Sequence, residues 1–297
     1  MTTDKPSSTA SMILRSLVLQ AHDPQRKPLI PAAWTEPHER LLKAVDPKGA
    51  NWIEKSKSAG FRNRLYFLEK LVLPGVQAHY ILRKRFIEDL ARNCITNDGF
   101  TQVVNIAAGF DSLCYRLHWE FPQVNFFELD HPATQAAKRR GLDALGFSSS
   151  LTLLPIDLHR ATLGDTLLAE PAYDRSASTF FIAEGLLMYL DVRIINALFE
   201  TIYHHSGPGS CLAFTFIEHL KGVGGGTPLL RWWLKRRSEP FTWSIHRDDL
   251  EEFVGNLLFD LDDVADAAKL RDEYLIPAGL DKLRNSEGEL IAVATRP

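Results

Sequence analysis

From residue 102 onward the chain repeats one pattern, a short apolar run that stops at a small residue or an acid and gives way to a stretch with helical spacing. Val103 to Ala108 meets Gly109 and Asp111, Val124 to Leu129 stops at Asp130, Leu151 to Ile156 at Asp157, and Ser178 to Ala183 at Glu184. Each run has the length of a strand, and the segments between them have the apolar spacing of helices. Ile194 to His205 reads as a helix closed by Ser206-Gly207-Pro208-Gly209, and Ser210 to Ile217 as a fifth strand. Phe259 to Val264 and Glu289 to Thr295 add two more, with a helix from Arg247 to Leu257 before them. Strands alternating with helices predict an α/β fold, a largely parallel sheet covered on both faces.

The first hundred residues lack such runs. Met1 to about Ser8 is polar, and Ala10 to Ala21, Arg40 to Asp46, Arg64 to Leu73 and Val76 to Asn93 show helical periodicity. Pro28, Pro31 and Pro37 are expected to break the intervening stretch into short pieces. No linker rich in Gly, Ser or Pro precedes Gln102, so residues 1–100 are expected to form a helical cap packed on a catalytic domain at 101–297, with a lid-like insertion at about 218–247.

Composition narrows the function. A net charge of -3 with no block of like charges argues against nucleic acid as the main partner. The longest apolar stretch, Phe180 to Leu190, is broken by Glu184, and neither a signal peptide nor a membrane span is expected. Cys94, Cys114 and Cys211 are widely spaced, with no CxxC and no histidine pair at ligand spacing, which fits a cytoplasmic chain without a metal centre.

The chemistry centres on Thr101 to Pro132, TQVVNIAAGFDSLCYRLHWEFPQVNFFELDHP. Strand, small-residue turn, helix and second strand make a nucleotide-type βαβ unit, and Ala107, Ala108 and Gly109 let a ligand approach the backbone. Glu128 and Asp130, two apart and on one side of the strand, can take the two hydroxyls of a ribose. Ligands of such sheets bind beyond the carboxyl ends of the strands, so Asp111, Asp130, Asp157 and Glu184 are expected on one rim.

VVNIAAGFDSLCYRL, FFELDHP, IDL at 156–158 and FIAEGLLMYL, in that order, resemble the motif series of the leucine carboxyl methyltransferase family and its bacterial O-methyltransferase branch. ILRSLVLQAHDP and EPFTWSIHRDDLEEFV extend the resemblance from about Met12 to the C-terminus. It implies a class I methyltransferase, Rossmann-like, with seven strands, mostly parallel and the last antiparallel, and S-adenosyl-L-methionine as the methyl donor for an oxygen. By position it implies Ala107 and Gly109 at the cofactor turn, Asp130 on the ribose, and Asp157 with Leu158 beside the adenine; Asp111, a rim acid at the end of the turn, is expected among the cofactor-binding residues. Glu184 would lie near the methionine ammonium, and Arg83, with Arg85 as rival, would clamp the methionine carboxylate. One departure stands out: the first residue of the turn, commonly glycine in the family, is Ala107 here.

Tyr189 and His219 are the candidates to face the acceptor. The Trp232-Trp233 pair beside Lys235, Arg236 and Arg237 reads either as a lid over an apolar, acidic substrate or as a core aromatic pair beside a charged face. No general base stands out, which favours an acceptor already ionised at neutral pH, a small-molecule or C-terminal carboxylate or an acidic hydroxyl. Two alternatives stay open. An NAD(P)-dependent oxidoreductase shares the βαβ unit but expects a third glycine where Cys114 and Tyr115 stand, and a Tyr/Lys or His/acid pair that the sequence does not locate. A non-catalytic S-adenosylmethionine-binding protein would keep the pocket without turnover.

Overall fold

The computed structural model describes residues 5–218 and 241–297. Seven strands form one sheet in the order β3-β2-β1-β4-β5-β7-β6. These are β1 (Gln102–Ile106), β2 (Asn125–Asp130), β3 (Leu151–Pro155), β4 (Thr179–Ala183), β5 (Cys211–Ile217), β6 (Asp260–Ala265) and β7 (Glu289–Thr295). β1 to β5 pair in parallel, and β7 runs antiparallel to both β5 and β6. The architecture is the α/β class I sheet that the motif series implied.

Alternate residues of the central strands feed two separate cores, as the two-residue period of a strand requires. Val103, Phe126, Phe180 and Cys211 belong to one, while Val104, Phe127, Phe181 and Leu212 belong to the other. The first core is closed by α5 (Val76–Thr96), α6 (Leu113–Glu120) and α7 (Pro132–Asp143), together with α1 (Ser8–Ala21), α2 (Ala32–Val45) and α3 (Gly49–Ser56). The second is closed by α8 (Leu163–Leu168), α9 (Val192–His204) and α10 (Arg247–Gly255). On α9 the buried positions Ile195, Leu198, Phe199 and Ile202 fall at helical spacing, and the Asp191 side chain caps the first turn by accepting from the Arg193 N–H.

Several element boundaries differ from the pattern reading. α2 runs through Pro37, which lies in its second turn and costs one backbone hydrogen bond without ending the helix. α4 (Ala59–Val72) begins five residues before the periodicity suggested, because its only fully buried residue is Arg62. Arg62 Nη1 donates to the carbonyls of Ser56 and Lys57 at 2.8 Å each, tying α4 to the end of α3. Among the described residues no helix is long and apolar enough to cross a membrane.

One turn sets the position of α5. Gly75 precedes its first residue with φ +87°, and a Cβ there would stand 2.7 Å from the backbone of Asn285 and Ser286. Only glycine combines that backbone angle with so close an approach. The N-terminal end of α5 is thereby held against the segment that leads into β7.

Candidate active site

β1 ends in the turn at 107–111, where Ala107 has φ +56° and Gly109 φ +53°. The left-handed conformation costs an L-residue about 1–2 kcal/mol, so the departure from glycine at 107 falls where glycine would relieve strain. Asp130, at the tip of the adjacent β2, holds the turn: its Oδ2 accepts from the Gly109 N–H at 2.6 Å and its Oδ1 from the His131 N–H at 2.7 Å. Burial raises the Asp130 carboxyl above its ordinary value, and these backbone donors offset part of the rise. The N-terminal helix comes close here. Ala10 Cβ lies 3.1 Å from where a Cβ on Gly109 would stand, and the Ser7 N–H donates to Thr134 Oγ1 at 3.1 Å.

Glu128 is not available to a ribose. Its side chain is 0% exposed and meets the equally buried Lys138 Nζ at 2.6 Å. It points to the face that carries α7, and Lys138 of that helix is its counter-charge. Of the two acids proposed for the diol, only Asp130 reaches the rim.

Asp157 and Leu158 follow β3 on the same rim, where the Ile156 N–H donates to the Asp130 carbonyl at 2.8 Å. Asp157 Oδ1 accepts from the His159 N–H at 3.1 Å, and Leu158 is half-buried at the edge of the second core.

The acids at the ends of β1 and β4 are joined by two adjacent cations of α5. Arg83 Nε donates to Glu184 Oε1 at 2.8 Å, with Nη2 at 2.7 Å from the same oxygen. Lys84 Nζ reaches Glu184 at 3.1 Å and Asp111 Oδ2 at 2.9 Å. Burial works against charge on both Lys84 and Asp111, but their pairing prevails: the amine is raised and the Asp111 carboxyl is held well below the usual range. Arg85, the rival clamp, instead places its guanidinium over the Tyr274 ring.

Sequence reasoning missed the far side of this cluster. Arg83 Nη1 donates to Glu289 Oε1 at 2.5 Å, and Glu289 Oε2 lies 3.1 Å from His79 Nε2. Burial would raise the Glu289 carboxyl, but Arg83 and then His79 outweigh it and hold it down to about 2. Thr215 on β5 also lowers the Glu289 carboxyl, and its Oγ1 accepts from the Gly185 N–H at 2.8 Å. His79 and Arg83, four apart on α5, carry a helical signal, but nothing local marks Glu289, which arrives from the reversed strand 206 positions beyond Arg83.

Tyr189 is half-buried, its ring 5.4 Å from that of Phe241. His219, the Trp232-Trp233 pair and most of the insertion expected at 218–247 lie outside the described residues.

The site therefore gathers three carboxylates, of Asp111, Glu184 and Glu289, around the cations of Arg83 and Lys84, beside a glycine-type turn. Burying an excess carboxylate is costly unless a cation meets it. A ligand with net positive charge and a carboxylate of its own fits that balance better than a pyrophosphate.

The profile of the leucine carboxyl methyltransferase family matches residues 19–203. The late segment quoted above, EPFTWSIHRDDLEEFV, lies outside the matched range. A Mycolicibacterium vanbaalenii protein provisionally described as an S-adenosyl-L-methionine-dependent methyltransferase is 37% identical over 142 residues, 48% of this chain and 45% of that relative. A Mycolicibacterium smegmatis protein of the same description is 31% identical over 200 residues, 67% and 59% of the two chains. The chain thus spans about half the length of the curated relatives it matches. Among solved structures, a Streptomyces avermitilis protein of the DUF574 family superposes with TM-score 0.61 at 14% identity, covering 80% of this chain and 91% of that one. One from Thermobifida fusca, provisionally titled a methyltransferase, gives 0.58 at 16% identity, covering 89% and 94%. These two likenesses concern the fold. With more than half of its length matched, across the segment that carries the motifs of the rim, the chain belongs to the leucine carboxyl methyltransferase family.

Proposed function

We propose that this chain is an S-adenosyl-L-methionine-dependent methyltransferase that delivers the methyl group to an oxygen of a small molecule or of a peptide C-terminus. The observation that carries the reading is the charge of the buried cluster: three carboxylates against two cations leave one excess negative charge. The cofactor, with a sulfonium, an ammonium and a carboxylate, carries one net positive charge and cancels it.

In this reading Arg83 holds the methionine carboxylate, for which a guanidinium is suited. Glu184 meets the ammonium, Asp130 the ribose hydroxyls, and Asp157 with Leu158 the adenine, while the turn from Ala107 to Gly109 admits the ligand to the backbone. Bound there, S-adenosylmethionine supplies a methyl carbon already activated by the sulfonium. The protein's task is then to hold the acceptor oxygen in line and to exclude water. Tyr189, half-buried with its ring against Phe241, and His219 are the residues we assign to the acceptor side.

The test is incubation of the purified chain with methyl-labelled cofactor and a panel of carboxylic acids, phenols and aliphatic alcohols. Label in a base-labile ester identifies a carboxylate acceptor, and label in a base-stable ether a hydroxyl. Cofactor binding without label transfer to any oxygen would leave only a binding protein, and label on nitrogen or carbon would refute the oxygen assignment.

A further inference from the structure

α4 is amphipathic in the opposite sense from a helix packed on a core. Its inward positions are polar. Arg62 is buried on the carbonyls of Ser56 and Lys57, and Glu69 accepts from the Gln77 N–H at 3.2 Å with Arg26 Nη2 3.9 Å away. Between them the Tyr66 ring lies 3.9 Å from the Arg26 guanidinium. The outward positions Arg64, Phe67, Leu68 and Leu71 have the i, i+3, i+4 and i+7 spacing of one helix face. Phe67 is 62% exposed, Leu68 47% and Leu71 57%. Among the described elements α4 packs chiefly on α3. Single exposed apolar side chains are ordinary, but three on one stripe of a helix whose polar groups turn inward mark a contact surface.

The charges around the stripe define its partner. From Lys48 to Val72 six Lys or Arg stand against two Glu, a net charge of +4 within a chain of -3. Lys48, Lys55, Arg64 and Lys70 are all exposed. Phe61, two turns before Leu68 on the same side of α4, lines an open cavity of about 210 Å³ with Arg15, Lys48, Trp52 and Lys55. Its aromatic walls, Trp52 and Phe61, meet edge to face at 5.3 Å, and the Arg15 guanidinium stands 5.3 Å from the Trp52 ring. Asp46 Oδ2 accepts from Arg15 Nε at 2.7 Å, which leaves Lys48 and Lys55 to meet an outside anion. A second copy offering the same face would set these cations against themselves. An anionic bilayer satisfies every part: its hydrocarbon takes Phe67, Leu68 and Leu71, its interface takes Trp52, and its phosphates take the lysines and Arg64.

We infer that α4, together with the cationic cavity it shares with α1 and α3, is a membrane-association surface by which this chain lies on an anionic lipid bilayer without spanning it. The surface is separate from the carboxylate cluster, so it stands or falls independently of the methyl-transfer reading. α4 is joined through Gly75 to α5, where Arg83 follows eight residues later. That is about 12 Å of helix, so docking holds the rim close to the lipid.

Vesicle flotation of the full chain tests this, with phosphatidylglycerol vesicles as the anionic probe and phosphatidylcholine vesicles as the neutral one. At low salt the chain should partition onto phosphatidylglycerol at least about thirtyfold more strongly than onto phosphatidylcholine, and molar salt should remove most of that preference. Phe67→Ser combined with Leu71→Ser should cut the partition onto phosphatidylglycerol by about tenfold or more. Lys55→Gln combined with Arg64→Gln should cut it by about tenfold and leave the weaker partition onto phosphatidylcholine unchanged. All four positions are exposed, so circular dichroism and thermal midpoint should match wild type. Equal partition onto the two vesicles, no flotation with phosphatidylglycerol at low salt, or a double serine variant that floats like wild type would overturn the inference. Sedimentation velocity decides a rival occupant: a wild-type dimer that the double serine variant dissolves would give the face to a second copy. Binding to immobilised poly-glutamate without flotation would give it to an acidic protein, and either result overturns the bilayer assignment.

Discussion

Lys138 and Glu128 form a charge pair from which solvent is wholly excluded, both side chains being 0% exposed at a contact of 2.6 Å. Replacing Lys138 with Met keeps the length and the apolar stem but strands Glu128 in the first core. Breaking a buried pair by removing one partner costs about 3–5 kcal/mol, whereas replacing both with apolar residues is often neutral. Lys138→Met should therefore lower the unfolding free energy by about 3–5 kcal/mol in urea titration, and Glu128→Leu combined with Lys138→Met should recover most of it. The pH dependence has a definite sign. Burial already raises the Glu128 carboxyl, with Lys138 opposing, so without the lysine its folded pKa rises further above the unfolded value of about 4.3. An acid whose folded pKa is raised destabilises increasingly as pH climbs above the unfolded value, so the deficit of Lys138→Met should shrink between pH 7 and pH 5. A deficit below about 1 kcal/mol, or a double variant weaker than the single one, would refute the description of this pair.

Ala107→Gly should be neutral or stabilising by up to about 1 kcal/mol. It relieves the left-handed strain at φ +56° and gives back only part through unfolded-chain entropy and a half-buried methyl. A thermal shift to lower temperature would contradict the strain. Asp130→Ala should weaken cofactor binding by at least about tenfold, since it removes both the proposed ribose contact and the brace on the Gly109 N–H; equilibrium dialysis with labelled cofactor reads the change. Glu289 has a depressed pKa, so the stability it contributes is present above about pH 4 and is lost as pH falls toward about 2. The Glu289→Gln variant should show a flatter acid limb in a pH series of unfolding free energies.

The strands were legible because a sheet covered on both faces demands apolar residues at successive positions, as in Val103–Val104, Phe126–Phe127 and Phe180–Phe181. Reversal of β7 was visible only through the family resemblance, since the pattern of Glu289 to Thr295 would suit either direction. Pro37 misled because a proline in the second turn removes a backbone bond without ending the helix, and the burial of Lys138 was not legible because a charged residue carries no mark in the sequence of the partner that lets it be buried. The rim acids Asp111, Asp130 and Glu184 were recognisable from strand ends. Lys84 and the His79–Glu289 pair were not, because they depend on how α5 lies across the sheet, fixed by Gly75 against residues 285 and 286. A His/acid pair was the feature the oxidoreductase alternative lacked in the sequence. The strand that supplies its acid is the reversed β7 of the class I sheet, and the family match stands with the methyltransferase reading.

Equilibrium dialysis of the purified chain against labelled S-adenosylmethionine, with NAD in parallel, tests the central claim most directly. The buried cluster predicts saturable binding of S-adenosylmethionine and none of NAD, with Glu184→Gln, which removes the excess carboxylate charge, weakening the affinity by about tenfold or more. Absence of binding at millimolar S-adenosylmethionine, or saturable binding of NAD instead, would contradict the account.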